Sequence, residues 1–300
     1  MPHFHPKVIY REPDQDKRHS VIRYIANRVL NNNKNFLCAV TGQTGGGKSW
    51  TTGAIGELYS ELTGIPYDPE RHVVFSFTEF IELINNGEAL KLLRVGTCIT
   101  FDEPQVSINA RSWQSQANQC FNALVSTFRN LRLVVFFATP FLEFLDLQTR
   151  TLFHAEFEMI GIDKVKQVTR VKPMFLEYNA KQDYFYRKYL DIVYMLPGKL
   201  VYTAVDLRIW EVPKPSDKWI AVYERRKKEF TQNLNKKLAQ RIAKSENKDI
   251  KERKESLFDR FIIAYQKCGA DYFALAKELP GVSAQSLRNM VVMAKKSQKV

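Results

Sequence analysis

Residues Gly42–Ser49 read G-Q-T-G-G-G-K-S and match every fixed position of the phosphate-binding pattern G-x-x-x-x-G-K-[ST]. The apolar run Phe36–Thr41 before them predicts a buried strand, and Thr51–Ser60 after them predicts a helix. In that context, glycine N–H groups converge on phosphate oxygens and the helix N-terminus adds the positive end of its dipole. A glycine-rich turn with a surface lysine would not explain the ordered Lys-Ser pair. The pattern therefore predicts a nucleoside triphosphate site, the Walker A loop.

The loop assigns a role to each of its chemical groups. Lys48 is expected to reach the β- and γ-phosphates, and the Ser49 hydroxyl is expected to ligate Mg²⁺. The residues predicted to bind the nucleotide are Gly42, Thr44, Gly45, Gly46, Gly47, Lys48, Ser49 and Trp50.

A second acidic motif follows the next long apolar run. Val95–Phe101 predicts a buried strand, and it ends in Asp102 and Glu103, which is the Walker B pattern. Asp102 would hold Mg²⁺ through water, and Glu103 would orient and activate the attacking water. Carboxylates at the carboxyl end of a parallel strand lie at the same sheet edge as the phosphate loop. The chain has no N-K-x-D guanine-reading motif, so we expect ATP rather than GTP.

A third strand-end residue is a candidate sensor of the γ-phosphate. Leu131–Ala138 predicts a fourth buried strand, and Thr139 directly follows it. A polar residue at this place commonly contacts the terminal phosphate, although Thr139 could equally do no more than end the strand.

The hydrophobic pattern predicts an α/β core with a parallel central sheet, followed by an antiparallel extension over residues 162–195. The other predicted elements are helices over 14–31, 79–84 (capped by Thr78), 88–93 and 115–128, and strands over 72–77 and 152–160.

Charge, cysteine spacing and hydropathy indicate what kind of protein this is and what it binds. Residues 1–150 contain 15 Lys+Arg and 14 Asp+Glu, whereas residues 151–300 contain 30 and 18, so a net charge of about +12 lies in the second half. This asymmetry favours a polyanionic partner such as DNA over a merely solubilising surface. The four cysteines lie far apart and predict reduced thiols in a cytoplasmic protein. No apolar stretch approaches about 18 residues and no signal peptide is evident, so we expect no membrane insertion.

The C-terminal region predicts a small helical domain. Residues 257–297 contain three short helical patterns, with a Gly-containing turn between the last two, as in a helix-turn-helix. Gln285, Arg288 and Asn289 are candidate base contacts, and Lys295 suits a phosphate. A three-helix cap that docks a protein is the alternative. The predicted domains are 1–211 (ATPase), 212–256 (basic helical linker) and 257–300 (DNA-binding).

The chain resembles the HerA/FtsK superfamily, and within it the zonula-occludens-toxin-like branch of phages, archaeal viruses and mobile elements. The residues that carry the resemblance are Gly42–Ser49, Phe101–Glu103, Arg111–Trp113, Thr139–Pro140 and Gln148–Arg150, within roughly residues 35–200. It implies a RecA-like ATPase core assembled as a ring, usually a hexamer, that pumps or packages DNA. In such rings a neighbour's arginine completes the nucleotide site. Arg129 and Arg150 are candidates, and Arg111 a weaker one.

Two departures from this superfamily stand out. The toxin-like branch often continues into a membrane span, which this sequence lacks, and glutamine often stands where this chain has Thr139. The leading hypothesis is an ATP-driven DNA translocase. The alternatives are an ATP-switched DNA-binding or partition protein without translocation, and a virion-assembly or secretion ATPase that meets a protein or membrane.

Overall fold

The computed structural model describes residues 6–10, 19–87, 89–102, 131–142, 150–196 and 199–296. Several predicted features lie outside these ranges: Glu103, Arg111, the helix over 115–128, Cys120, Arg129 and Gln148.

The strands and helices are numbered in chain order among the described residues. The strands are β1 Lys7–Tyr10, β2 Phe36–Thr41, β3 Val73–Val74, β4 Cys98–Asp102, β5 Val134–Thr139, β6 Ala155–Asp163, β7 Val168–Asn179, β8 Tyr184–Lys188, β9 Leu190–Leu196, β10 Lys199–Leu207 and β11 Trp210–Pro213. The helices are α1 Ser20–Ala26 (continued by a π-helical turn, Asn27–Asn31), α2 Lys48–Thr63, α3 Pro69–His72, α4 Phe77–Asn86, α5 Asp217–Cys268, α6 Tyr272–Glu278 and α7 Ala284–Lys296.

The main sheet has the strand order β11-β7-β6-β2-β5-β4-β3, and β8 pairs with β7. The pairs β6–β2, β2–β5, β5–β4 and β4–β3 are parallel, whereas β7 pairs antiparallel with β6, β8 and β11. The predicted α/β class, with a parallel centre and an antiparallel extension, is therefore confirmed at this level. A second described sheet has the order β1-β9-β10.

Both faces of the parallel centre are buried, as parallel sheets require. All six residues of β2 are buried, and the first five alternate between two apolar clusters. Leu37 and Ala39 pack in the cluster that contains Phe80 of α4, while Cys38 and Val40 pack in the cluster that contains residues of α1 and α2. The helices therefore cover the sheet on opposite sides, which leaves its carboxyl edge to the loops.

The described cysteines are structural thiols. Cys38, Cys98 and Cys268 are free, and the first two are buried. Burial raises the pKa of the Cys38 and Cys98 thiols, so both stay protonated and unreactive. Within the described ranges, no helix is long and apolar enough to span a bilayer.

The segment before β4 differs from its prediction. Of the strand predicted over residues 72–77, only Val73–Val74 is strand, because Ser76 begins a helix. The Ser76 hydroxyl accepts a hydrogen bond from the Glu79 N–H at 3.2 Å, so the predicted cap Thr78 is wrong. The Glu79 carboxylate in turn accepts from the Phe75 N–H at 2.9 Å, which fixes the start of α4 reciprocally. Within the helix predicted over 88–93, residues 89–91 form a turn and residues 92–93 have no regular secondary structure.

Helix α5 is longer than predicted, since it runs unbroken from Asp217 to Cys268. No Gly or Pro interrupts this stretch, and Gly269, at φ +62°, follows its end. Side chains cap the two helices further on: the Asp271 carboxylate accepts from the Phe273 N–H at 2.9 Å, and the Ser283 hydroxyl accepts from the Ser286 N–H at 3.2 Å.

The chain divides into two compact units, residues 1–230 and 231–300. The first unit extends past the predicted boundary at residue 211 because residues 217–230, here called the α5 docking segment, pack onto it. In this segment the buried Trp219 stacks on Tyr223 with ring centroids 4.8 Å apart and joins a cluster with Val73 and Phe75.

A glycine in α2 makes room for the α5 docking segment. A Cβ atom added at Gly53 would lie 2.4 Å from Cζ2 of Trp219, so the indole ring occupies the space that a side chain would need. The helix that follows the phosphate loop, α2, therefore packs directly against the start of α5.

We expect Gly53→Ala to lower the free energy of unfolding by about 1–3 kcal/mol, because the new methyl group overpacks the Trp219 contact. Without that contact, alanine would stabilise the helix by about 1 kcal/mol, so the sign of the change is informative. Chemical denaturation measures it. In a Trp219→Leu background the same substitution should no longer destabilise. Gly161→Ala, where a Cβ meets nothing within 4 Å, is the matched control.

Candidate functional site

The phosphate loop lies between β2 and α2, as its pattern predicts. Gly45 and Gly47 adopt positive φ angles of +79° and +87°, which side-chain-bearing residues rarely adopt. Gly47 is also the N-cap of α2, and no side chain caps the N–H groups of the first turn. The helix N-terminus therefore keeps the donors and the dipole that bind an anion.

The Lys48 side chain binds to the backbone of its own loop. Its ammonium donates to the carbonyl oxygens of Gly42 at 2.8 Å and Gln43 at 2.9 Å, and the residue is buried. A cation held in this way lies beside the backbone that would wrap the phosphates. The arrangement agrees with the role that the pattern predicts for Lys48.

The strand order brings the two motifs together. β2 and β4 flank β5 in the parallel sheet, so their carboxyl ends lie at one edge. There the Ser49 hydroxyl donates to Oδ1 of Asp102 at 2.6 Å. A hydroxyl and a carboxylate at this distance form the pair of oxygen ligands predicted for Mg²⁺.

The other oxygen of the same carboxylate contacts α5. The Tyr223 hydroxyl donates to Oδ2 of Asp102 at 2.7 Å, and the Lys227 ammonium donates to the same oxygen at 2.9 Å. The Asp102 side chain is fully buried, whereas that of Lys227 is 29% exposed. Three donors, one of them cationic, thus replace the water that this carboxylate loses on folding.

Neither Tyr223 nor Lys227 is predicted as a site residue from the sequence pattern. Tyr223 lies in the stretch predicted as a basic helical linker, and nothing in the local pattern links that helix to β4. The signal that could have found Lys227 is indirect: a buried strand-end aspartate needs a cation, and the cation need not be near in sequence.

The space beside the loop suits a nucleotide. A pocket of about 400 Å³ is lined by residues of the phosphate loop and the α5 docking segment, among them Gly45, Lys48, Ser49 and Lys227. A second pocket of about 330 Å³ shares Gly47 and Trp50 with the first and has a mainly apolar lining, which includes Ile162 and Pro213. Both volumes lie in the range of small-molecule sites.

The donor set also fits magnesium. Within the described ranges, no three His, Cys, Asp or Glu residues cluster in a way that could hold a metal. A magnesium ion that arrives with a triphosphate needs few protein ligands, because phosphate oxygens and water complete its shell. Ser49 and Asp102 supply the hydroxyl and the carboxylate that such a site uses.

The remaining predicted site residues stand as follows. Thr139 ends β5 in register with Thr41 of β2, is buried, and donates to the Phe141 carbonyl at 3.2 Å. It lies at the predicted edge, while its role as a sensor stays a prediction. Trp50 is exposed and its indole N–H donates to Glu224 at 3.4 Å. The buried Nε of Arg150 has no hydrogen-bond partner among the described atoms.

The predicted DNA contacts share one face of α7. Gln285, Arg288, Asn289 and Lys295 are all exposed, while Leu287 and Val291 between them are buried in the core of the second unit. The spacing of three, four and six or seven residues is that of one helix face. The polar face is thus available to a ligand.

In comparison with known proteins, no protein-family model matches the chain, and the search of curated proteins gives no match.

We expect Tyr223→Phe to lower the free energy of unfolding by about 1.5–3 kcal/mol, because it removes a hydrogen bond to a buried carboxylate. Chemical denaturation measures the loss. Tyr178→Phe is the control, since the Tyr178 hydroxyl donates to the Asp183 carboxylate at 2.8 Å in an exposed setting. Equal losses in the two variants would contradict the importance of burial.

Proposed function

We propose that the chain is a P-loop ATPase with a RecA-like core. The observation that carries this proposal is the 2.6 Å hydrogen bond from Ser49 to Asp102, because it joins the two motifs at one sheet edge. The strand order supports it too: a single strand, β5, separates the phosphate-loop strand from the carboxylate strand. That arrangement suits ATPases that activate water with a glutamate at a strand end.

The roles of the residues follow from their positions. Magnesium, when bound with ATP, would neutralise charge that develops on the β- and γ-phosphate oxygens. Lys48 and the N–H groups of the loop would bind those oxygens, and Asp102 with Ser49 would hold the ion. Glu103, which directly follows Asp102, would accept a proton from the attacking water. Thr139 would contact the terminal phosphate from β5.

The pocket next to Trp50 is the proposed place for the base. Its lining combines the Trp50 ring with Ile162 and Pro213, and the Lys214 ammonium lies 6.0 Å from the ring centroid. An aromatic and aliphatic lining suits a planar heterocycle. The choice of ATP over GTP continues to rest on the absent guanine-reading motif.

We expect Lys48→Ala to abolish ATP binding, and Glu103→Gln to retain binding while lowering hydrolysis by at least about a hundredfold. Phosphate release and nucleotide titration measure the two effects separately. Lys34→Ala, a lysine next to the start of β2 and outside the loop, is the control. Full hydrolysis by both motif variants would refute the ATPase proposal.

We propose further that the ATPase acts on DNA as a ring-forming, hexameric translocase or packaging motor. The support is the concentration of positive charge: residues 231–300 alone contain 15 Lys+Arg and 7 Asp+Glu. The second unit adds α6, a Gly-containing turn and α7 with its exposed polar face. In a ring, Arg150 or Arg129 of a neighbouring copy would complete each nucleotide site.

A partition-type protein, in which ATP switches DNA binding without movement, is the second candidate. The exposed Gln285, Arg288 and Asn289 favour it, because side chains of this kind read base edges. Such a protein would protect a specific sequence in footprinting, whereas a motor would bind random and native DNA alike.

We expect Arg288→Ala to weaken DNA binding by about 1–3 kcal/mol and to relax sequence specificity, because it removes a predicted base contact. Arg208→Ala, an exposed arginine of the first unit, is the matched control. DNA should also stimulate ATP hydrolysis by the unmodified chain. If no single- or double-stranded DNA stimulates it, the translocase proposal fails while the ATPase proposal stands.

A further inference from the structure

The pocket at the phosphate loop has a second cationic side chain from the same chain. Its wall combines Gly45, Gly47, Lys48 and Ser49 of the loop region with Tyr223 and Lys227 of the α5 docking segment. Lys48 belongs to the loop itself, and its ammonium donates to the Gly42 and Gln43 carbonyls. Lys227 approaches from α5, so the two lysines belong to different elements of one pocket.

The contacts of Lys227 place it near one particular end of a bound triphosphate. Its ammonium lies 2.9 Å from Oδ2 of Asp102, whose Oδ1 accepts from Ser49 at 2.6 Å. In this class of site the hydroxyl and the carboxylate stand beside the β- and γ-phosphate oxygens. A cation next to Asp102 would therefore lie on the side of the terminal phosphate rather than on that of the base.

We propose that Lys227 is a second phosphate-binding residue, which contacts the terminal phosphate of ATP from within the same subunit. An ammonium carries three donors on a flexible four-carbon stem, so it can bond to Asp102 and to a phosphate oxygen together. Because ADP lacks the γ-phosphate, this contact would let the site distinguish ATP from ADP. The inference rests on the proposed ATPase function and adds a residue to it.

The surroundings of Lys227 hold it at this position. Arg226, the preceding residue, donates to the Pro69 carbonyl at 2.9 Å and also to that of Val73. Phe230 stacks on Phe75 with ring centroids 5.4 Å apart. The α5 docking segment is thus bound to the sheet on both sides of Lys227, and the ammonium is directed to the carboxyl edge by a fixed backbone.

A structural role is the competing explanation, since Lys227 could do no more than neutralise the buried Asp102. The two explanations differ in what they predict for nucleotides. Removal of a merely structural cation would change the affinities for ATP and ADP equally. The same holds for removal of the Tyr223 hydroxyl, which donates to the same oxygen without a charge. A phosphate contact changes the preference between the two nucleotides.

The test is equilibrium binding of magnesium–ADP and of a non-hydrolysable magnesium–ATP analogue, with thermal unfolding of each variant as a check on folding. We expect Lys227→Met to lower the affinity for the ATP analogue by about tenfold or more, because one charge-assisted hydrogen bond is lost. The affinity for ADP should fall by less than about threefold. Lys227→Arg should restore most of the preference. Tyr223→Phe should change the affinities for both nucleotides by the same factor. Lys228→Met, at an exposed lysine one position further on, should change neither affinity. Equal shifts for both nucleotides in Lys227→Met would overturn the inference.

A measurement on the unmodified protein covers the case in which Lys227→Met does not fold. Amine-reactive labelling with mass spectrometry should show Lys227 protected by the ATP analogue more strongly than by ADP, with Lys228 as the internal reference. Equal protection by both nucleotides would overturn the inference. If the unmodified chain binds neither nucleotide, the ATPase proposal itself fails, and the two failures are thereby separate.

Discussion

The buried carboxylate of Asp102 is the group on which the arrangement of the first unit depends. A carboxylate without water is stable only when hydrogen bonds and a positive charge replace its hydration. Here those partners come from two separate helices: Ser49 from α2, and Tyr223 and Lys227 from α5. The carboxylate of β4 therefore contacts both helices.

Packing and backbone hydrogen bonds also hold the α5 docking segment next to Asp102. Trp219 fits against Gly53 of α2, and Arg226 bonds to carbonyl oxygens at the start of α3 and in β3. The α5 docking segment thus contacts elements on both sides of the candidate site.

The proposed chemistry and the proposed partner rest on different kinds of evidence. The ATPase proposal rests on distances among a few buried or half-buried groups at one sheet edge. The DNA proposal rests on charge and on an exposed helix face, which are long-range and surface properties. Because the second kind of evidence fits several polyanions and several modes of action, the translocase and partition hypotheses share most of their support.

Local physics made much of this protein predictable from its sequence. The phosphate loop needs glycine φ angles and an ordered Lys-Ser pair within eight residues, and the strand β2, the helix α2, and the caps Asp271 and Ser283 follow equally local rules. Where two local rules competed, prediction failed: apolar residues over 72–77 suggested a strand, but the reciprocal bonds of Ser76 and Glu79 begin a helix there. Local sequence patterns thus predict the loop, the carboxylate and the fold class. They do not predict that Lys227, 125 residues from Asp102 along the chain, neutralises this carboxylate, because a desolvated charge is stabilised by partners that are near in space, whatever their distance in sequence.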